Sequence, residues 1–262
     1  MANMNILDTI VKQKRLEVLK RKRDSPLSRL ASLESYRRKT NVIASPESLE
    51  KPGIIAEFKR KSPSRGLIHP DADPVVVAKA YEEAGVSAMS ILTDQTFFGG
   101  NLMDLKRVRE ACPRLVLLRK DFIVDPYQLH EASAYGADMI LLIAAVLERR
   151  EVEELALEAA SLGLNTLLEV HHKGELEKYH KEIKFVGVNN RDLKTFKVDT
   201  LRSMELIGAF PPGVVPVSES GLSDPEEIRK LRTAGYNLFL MGENFMKEKD
   251  PGAACERFIN KI

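Results

Sequence analysis

Eight short apolar runs recur along this chain, and their repetition restricts its fold more than any other feature. Each run is followed by a segment whose apolar residues recur at helical spacing, and near-continuous apolar character is typical of strands buried on both faces. Eight strand and helix units in one chain favour an α/β fold closed as a (β/α)8 barrel, or TIM barrel, over an open doubly wound sheet. The predicted strands are Ile54–Lys59, Ala88–Thr93, Leu115–Phe122, Met139–Ala144, Asn165–Val170, Phe185–Asn190, Val214–Ser220 and Leu238–Gly242.

The segments between these runs predict the helices of the repeat. Several of them end at a glycine, such as Gly136 and Gly163, where a helix is commonly followed by a left-handed residue. Asp224 and Pro225 supply another helix with an N-cap and a first-turn proline. The predicted helices are Pro74–Ala84, Leu102–Ala111, Tyr127–Tyr135, Arg149–Leu162, Gly174–His180, Thr200–Ala209, Pro225–Ala234 and Gly252–Asn260.

The chain divides at about residue 48 into an N-terminal extension, residues 1–48, and the barrel, residues 49–262. Residues Ile6 to Arg23 have one apolar stripe, which predicts an amphipathic helix. Its basic side chains are expected to form a solvated face: Lys12, Lys14, Arg15, Lys20, Arg21, Lys22 and Arg23. Because the eight units that follow can close by themselves, we expect the extension to serve the site rather than the fold.

The overall charge restricts the partners of the protein. The 40 basic and 38 acidic residues nearly cancel, so neither nucleic acid nor a membrane is expected as a partner, whereas a small anionic ligand is compatible. No run approaches the ~18 apolar residues that a membrane span needs, and we expect a cytoplasmic protein. Cys112 and Cys255 lack metal-ligand spacing, so no metal site is predicted.

Polar residues recur where the predicted strands end. Glu57 and Lys59 share one face of the first strand, either as a local ion pair or as part of a site. In a barrel the carboxyl ends of the strands meet on one face, and unpaired buried charges there cost several kcal/mol, so charges at five strand ends favour function. The others are Lys120, Asp121, Glu169, Asn189, Arg191, Asp192, Glu219, Ser220 and Glu243. Proximity and burial are expected to bring the pKa values of these lysines and glutamates toward neutrality, for acid and base chemistry.

Two further sets of residues at strand ends, one for a phosphate and one aromatic, suggest how a ligand is held. Ser62, Ser220–Gly221 and Gly242–Glu243 lie where barrels commonly bind a phosphate, and they predict a phosphorylated small molecule. Phe98 and Phe122 are expected to form an apolar wall for a flat ligand. The histidines, including His171, are expected to be exposed loop or helix residues.

These residues stand in motifs that resemble the indole-3-glycerol-phosphate synthase family of barrel enzymes, from tryptophan biosynthesis, over essentially the whole chain. The basic extension also resembles a helix that lies over the barrel mouth in this family. The motifs are IIAEFKRKSPSRG from Ile54, SILTD from Ser90, FFGG from Phe97, RKDFIVD from Arg119, GADMILLI from Gly136, LLEV from Leu167, GVNNRDL from Gly187 and SESGL from Ser218.

The resemblance implies a carbon–carbon lyase that closes the indole ring of 1-(2-carboxyphenylamino)-1-deoxyribulose 5-phosphate. Carbon dioxide and water leave, and no metal or organic cofactor is implied. Carried over by motif, Lys120 protonates the ribulose carbonyl, and Lys59 pairs with the anthranilate carboxylate and is a second candidate for the acid in dehydration. Glu169 is the acid or base of that step. The orienting residues are Glu57 and Asn189, the remaining pocket residues are Arg191, Glu219 and Ser220, and the phosphate contacts are Ser62, Gly221 and Gly242.

Two positions depart from the family pattern. Glu243 stands where some members have serine, so only its backbone N–H is available to a phosphate, and Asn190 also replaces a serine. A phosphoribosylanthranilate isomerase-like barrel is the nearest alternative, but it gives no reason for two lysines. A non-catalytic barrel that binds a phosphorylated metabolite would not need acids and bases in register. We expect a monomer, and association with other enzymes of the pathway is left open.

Overall fold

The computed structural model describes residues 6–43, 52–192, 195 and 197–262. In this part of the chain eight parallel strands close into one barrel in the order β1-β8-β7-β6-β5-β4-β3-β2, which confirms the predicted (β/α)8 fold. The strands are β1 Gly53–Phe58, β2 Ala88–Leu92, β3 Leu117–Lys120, β4 Met139–Ile143, β5 Asn165–Val170, β6 Phe185–Asn189, β7 Val215–Glu219 and β8 Leu238–Met241. A small antiparallel pair, Lys61–Ser62 with Gly66–Leu67, follows β1.

Helices surround the barrel close to the predicted bounds. They are α1 Ile6–Asp24, α2 Leu27–Ala31, α3 Pro74–Glu83, α4 Gln95–Phe98, α5 Leu102–Ala111, α6 Tyr127–Ala134, α7 Arg149–Ser161, α8 Leu201–Leu206, α9 Pro225–Ala234, α10 Glu243–Met246 and α11 Pro251–Ile259. The helix predicted at Gly174–His180 is instead a 3₁₀ helix, Lys173–Lys178. The predicted caps are present, since Gly136 and Gly163 have φ of 86° and 75° and Asp224 accepts from the Glu226 N–H.

The alternation of side chains along each strand decides which charges reach the site. Leu118 belongs to the apolar cluster inside the barrel, so Lys120, two residues later, points inward as well. Arg119 and Asp121 alternate with Lys120, so their side chains lie on the outer side of the barrel wall. There both are buried, and Arg119 Nη2 lies 3.0 Å from Asp121 Oδ2. Asp121 was predicted to face the pocket with the other strand-end charges, and it does line the cavity described below. Its carboxylate, however, pairs with Arg119 and Lys14.

Helix α1 is attached to the barrel through a buried lysine. Lys14 is fully buried, and its Nζ lies 2.7 Å from Asp94 Oδ2, 2.9 Å from Asp121 Oδ1 and 3.1 Å from Glu17 Oε2. Arg21 Nε lies 3.0 Å from Glu131 Oε1, two turns further along the docked face. The prediction that the basic side chains of α1 form a solvated face is therefore wrong for these residues, since carboxylates of the barrel neutralise them.

The rest of the described extension runs down the side of the barrel. Val18 and Leu30 form an apolar cluster with Tyr127 and Ala134 of α6. Further on, Arg38 pairs with the buried carboxylate of Asp138, which also accepts the backbone N–H of Asn41 at 2.7 Å. The described part of the extension thus packs against the barrel. That it serves the site rather than the fold stays a prediction. The proposed boundary at residue 48 lies outside the described residues.

Three other observations concern the cysteines, metal-binding groups and long helices of the described residues. Cys112, just after α5, and Cys255, in α11, are both buried free thiols. Within the described ranges no group of three His, Cys, Asp or Glu side chains is arranged to hold a metal ion. None of the helices described is long and apolar enough to cross a membrane.

Candidate active site

A cavity of about 550 Å³ opens at the carboxyl ends of the strands. Its floor is apolar, formed by Leu141, Ile143 and Leu240, and residues Ile6 and Ile10 of α1 lie over it. Most of the predicted site residues line it: Glu57, Lys59, Ser62, Phe98, Lys120, Asp121, Phe122, Glu169, Asn189, Arg191, Ser220, Gly221, Gly242 and Glu243. Two predicted residues are not part of the lining, namely Asp192 and Glu219, which is buried behind Lys120.

Lys120 lies at the centre of the charged residues. Its Nζ donates to Glu169 Oε2 at 3.0 Å and to Glu219 Oε2 at 3.2 Å. Burial by itself lowers the pKa of Lys120, but the charges of Glu169 and Glu219 outweigh it, and the pKa lies well above that of an ordinary lysine. The two carboxylates thus favour the ammonium form of Lys120, contrary to the expectation that its pKa moves toward neutrality.

The two carboxyl groups beside Lys120 differ in charge. Burial and, to a smaller extent, the charge of Glu169 raise the pKa of Glu219 to about 7 against the opposing effect of Lys120. Burial also acts on Glu169, but Lys120 and His171 lower its pKa below the ordinary value. When two close carboxyl groups share one ammonium, the pKa of one is lowered and the pKa of the other is raised, because the two negative charges repel each other. The pKa of Glu219 therefore moves toward neutrality as the sequence predicted, and the pKa of Glu169 does not.

The glycine Gly187 on β6 makes room for Glu219. A Cβ atom built on Gly187 would lie 2.1 Å from Glu219 Oε1, closer than any real contact. Gly187 is the register partner of Glu169, so the space it leaves lies beside both carboxyl groups. The GVNN motif is thus explained by packing against the site.

Glu169 is held by two further residues. Asn189 Nδ2 donates to Glu169 Oε1 at 3.1 Å, and His171 Nε2 lies 3.5 Å from the same oxygen. His171 was predicted to be an exposed loop residue, but its side chain is only 10% exposed. Its position two residues after Glu169 indicates the shared face, by the same rule that relates Lys59 to Glu57.

Glu57 and Lys59 form an ion pair at the end of β1, and both line the cavity. The two alternatives left open by the sequence, a local ion pair and part of a site, are therefore compatible. Gly242 after β8 leaves room for the Glu57 side chain, because a Cβ at Gly242 would lie 2.6 Å from Glu57 Oε1.

Aromatic side chains form one wall of the cavity. The ring centroids of Phe98 and Phe122 are 5.9 Å apart. Phe98 is on the short helix α4, whose first N–H groups are capped by Asp94 Oδ1, with the Phe97 N–H at 2.7 Å. Because Asp94 also binds Lys14, the covering helix and this wall are fixed by the same carboxylate.

The opposite end of the cavity carries the residues predicted to contact phosphate. Ser220 has a φ of 67°, a left-handed conformation that costs a non-glycine residue of order 1–3 kcal/mol and is typical of functional sites. Glu243 Oε1 lies 2.9 Å from Arg65 Nε, and its Oε2 accepts from Arg191 Nη2 at 3.3 Å. Arg65 was missed in the sequence, where nothing distinguishes it from the neighbouring basic residues.

Fold and site together define an acid–base enzyme built on a (β/α)8 barrel, with charged side chains at the carboxyl ends of the strands. Comparison with known sequences makes this class specific. The sequence model of the family described as indole-3-glycerol phosphate synthase matches residues 7–258. The chain belongs to the indole-3-glycerol phosphate synthase family.

Curated relatives agree with this assignment. A protein named indole-3-glycerol phosphate synthase from Bacteroides thetaiotaomicron is 44% identical over 262 residues, covering 98% of this chain and 99% of the relative. A protein of the same name from Salinibacter ruber is 43% identical over 257 residues, covering 97% of this chain and 95% of the relative.

Solved structures of low sequence identity share the barrel. A 3-hexulose-6-phosphate synthase superposes with a TM-score of 0.65 at 14% identity, covering 80% of this chain and 99% of that one. Orotidine 5'-phosphate decarboxylase from Pyrococcus horikoshii gives a TM-score of 0.59 at 12% identity, covering 80% of this chain and 98% of that chain. At these identities the likeness concerns the fold alone.

Proposed function

We propose that the chain converts 1-(2-carboxyphenylamino)-1-deoxyribulose 5-phosphate to indole-3-glycerol phosphate, releasing carbon dioxide and water. The observation that carries the proposal is the ammonium of Lys120 between Glu169 and Glu219, in a cavity with an aromatic wall at one side and arginines at the other. Family membership supports the same reaction. We further propose a cytoplasmic monomer that acts without metal, organic cofactor, nucleic acid or membrane, with association with other pathway enzymes left open.

Each group in the cavity has a role in this reaction. Lys120, an ammonium before substrate reacts, donates its proton to the ribulose carbonyl oxygen as the aromatic ring carbon attacks the carbonyl carbon. Lys59 holds the carboxylate that leaves as carbon dioxide, while Glu57 orients Lys59 through their ion pair. Glu169, oriented by Asn189, exchanges protons in the dehydration, with Lys59 as a second candidate for its acid. Glu219 supports Lys120, and the phosphate lies near Ser62, Ser220, Gly221, Gly242 and the backbone N–H of Glu243.

Two other functions were compatible with the sequence. An isomerase of phosphoribosylanthranilate would use acid and base groups, but it has no carboxylate-leaving step to occupy Lys59 as well as Lys120. A non-catalytic barrel gives no reason to bury Glu219 with a pKa of about 7 beside a charged lysine. Both are separated from the proposal by one assay. The purified chain, given the carboxyphenylamino-deoxyribulose phosphate, should develop indole fluorescence, whereas phosphoribosylanthranilate should be left unchanged.

The role of Lys59 predicts a loss of affinity that depends on the carboxylate of the ligand. Lys59→Ala should weaken binding of a reduced, carbonyl-free substrate analogue by ~1.5–3 kcal/mol, the usual contribution of a hydrogen bond to a charged group. It should barely affect an analogue that also lacks the carboxylate. Calorimetric titration of both ligands gives the coupling. Lys61→Ala is the matched control, because Lys61 donates outside the cavity to the Thr96 carbonyl. Equal losses for both ligands would show that Lys59 does not bind the carboxylate.

Glu243 predicts an unusual response to phosphate. Its carboxylate pairs with Arg65 and Arg191, two cations that line the cavity together with the proposed phosphate residues. Glu243→Gln should therefore strengthen competitive inhibition by inorganic phosphate roughly two- to fivefold, since a partly exposed ion pair contributes up to about 1 kcal/mol. Glu248→Gln, an exposed glutamate just after α10, should leave the inhibition constant unchanged. Inhibition that is noncompetitive, or equal in both variants, would reject this placement of the phosphate.

A further inference from the structure

His171 lies between two carboxylates that belong to different parts of the chain. Its Nε2 is 3.5 Å from Glu169 Oε1, and its Nδ1 is 3.6 Å from Glu175 Oε2. Neither ring nitrogen has a closer hydrogen-bond partner among the described residues. An imidazole with a carboxylate on each side can accept a proton at one nitrogen and release another from the opposite nitrogen. Such contacts are often long in the unliganded enzyme and shorten when substrate binds.

The line of groups continues from His171 to the surface. Glu175 Oε1 lies 3.4 Å from His172 Nε2, and the His172 side chain is 69% exposed. Glu175 is also fixed in place, because its Oε2 accepts the backbone N–H of His171 at 2.6 Å. The 3₁₀ helix Lys173–Lys178 thus places one buried carboxylate between a histidine beside the site and a histidine in solvent.

The proposed reaction needs a proton from solvent in every turnover. The substrate enters with a carboxylate, whose C–C bond breaks so that carbon dioxide leaves and the electron pair stays in the ring. The former carbonyl oxygen takes two protons and leaves as water, and one proton returns from the intermediate when the indole becomes aromatic. The balance is one proton consumed in each turnover, and it has to reach the site from solvent.

The charges around His171 suit it to carry that proton. Burial lowers the pKa of His171, but the contact with Glu175 and the charge of Glu169 outweigh it and raise the pKa, against a smaller effect of Arg202 on α8. The pKa values of Glu169 and Glu175 are both lowered, so each faces His171 as a carboxylate. His172 is the other titratable group on this side.

Resting on the proposed function, we propose that His171 is a proton-relay residue, which passes one proton per turnover from Glu175 and His172 to Glu169. Glu169 in turn lies 3.0 Å from Lys120, the group that has lost its proton to the carbonyl oxygen. The proton moves from imidazolium to carboxylate and then to the amine, and Glu175 with His172 restores the imidazolium from solvent.

The test uses His171→Ala in the full chain, with single-turnover rates of indole formation measured at increasing imidazole concentration. The rate should fall about ten- to hundredfold, within the range for a lost proton-transfer group, while affinity for the reduced analogue changes less than about twofold. Added imidazole should accelerate the variant toward a plateau and leave the wild type unchanged. His180→Asn, which alters a histidine outside this line, should behave as wild type.

A second variant separates relay from support of the fold. His171→Gln keeps a polar side chain between the carboxylates but cannot pass a proton, so it should be as slow as His171→Ala while unfolding at the wild-type temperature. An unchanged rate in either variant overturns the proposal, as does a slow variant that imidazole cannot accelerate. A wild type that forms no indole from the substrate would instead reject the proposed function itself.

Discussion

Lys120→Met should lower kcat by roughly 10²–10⁴, the range expected when a general acid is lost. The methionine keeps the apolar stem and removes only the ammonium that donates to Glu169 and Glu219. Binding of the reduced analogue, which has no carbonyl to protonate, should stay within about threefold of wild type. Steady-state kinetics measures kcat, and calorimetric titration measures the affinity for the reduced analogue.

The same substitution should change the pH dependence of what activity is left. Without the ammonium, Glu169 and Glu219 have lost their nearest cation, so the carboxyl groups should titrate at higher pH than in wild type. Lys61→Met, at a half-buried lysine outside the cavity, controls for the loss of a positive charge. Two results would contradict the assigned role and make Lys120 a binding residue. One is a fall in kcat of less than tenfold, and the other is a loss of affinity for the analogue by the same factor as the loss in kcat/KM.

Lys14→Met should destabilise the protein by about 3–5 kcal/mol, because it leaves buried carboxylates without their partner. Lys14 Nζ contacts Asp94 and Asp121, both inaccessible to solvent. At this chain length each kcal/mol corresponds to roughly 2–4 °C, so the melting temperature should fall by about 10 °C or more. Lys12→Met, two residues earlier on the exposed face of α1, should have almost no effect.

The pH dependence of this loss has a definite sign. Burial tends to raise the pKa of Asp121, but Lys14 and Arg119 outweigh it and hold the pKa well below the ordinary value. A carboxyl group with a lowered folded-state pKa stabilises the protein above its unfolded pKa of ~3.9, and this contribution is lost as the pH falls. The difference between wild type and Lys14→Met should therefore shrink below about pH 4. A constant difference from pH 7 to pH 3 would show that lost packing causes the destabilisation.

The fold could be predicted from the sequence because its signals are local and repeated. An apolar run such as Met139–Ile143 indicates a strand buried on both faces, and eight of them in one chain leave few arrangements. The helix at Gly174–His180 was the weakest prediction, because a short segment with Glu175 and Lys178 turned into the protein does not show a regular stripe. There the contacts of Glu175 with His171 and His172 favour a 3₁₀ helix.

The site was predictable where alternation along a strand places a charge in the barrel, as for Glu57, Lys120 and Glu169. It was not predictable where burial depends on contacts between distant segments. Nothing near Lys14 in the chain indicates that two aspartates, 80 and 107 residues further on, enclose it. The pKa of Lys120 was misjudged for the same reason, since its direction depends on how many carboxylates face one ammonium. The composition supplies the charges, and only the fold determines their neighbours.

The central claim is that one cavity holds the substrate with its phosphate near Ser62, Gly221 and Gly242 and its carboxylate at Lys59, so that its carbonyl carbon lies at Lys120. A crystal structure with the reduced substrate analogue tests this most directly. We expect the analogue's hydroxyl oxygen within hydrogen-bond distance of Lys120 Nζ, the aromatic ring against Phe98 and Phe122, and the carboxylate on Lys59. A phosphate bound outside this corner, or a carboxylate held by Lys120 instead of Lys59, would contradict the account.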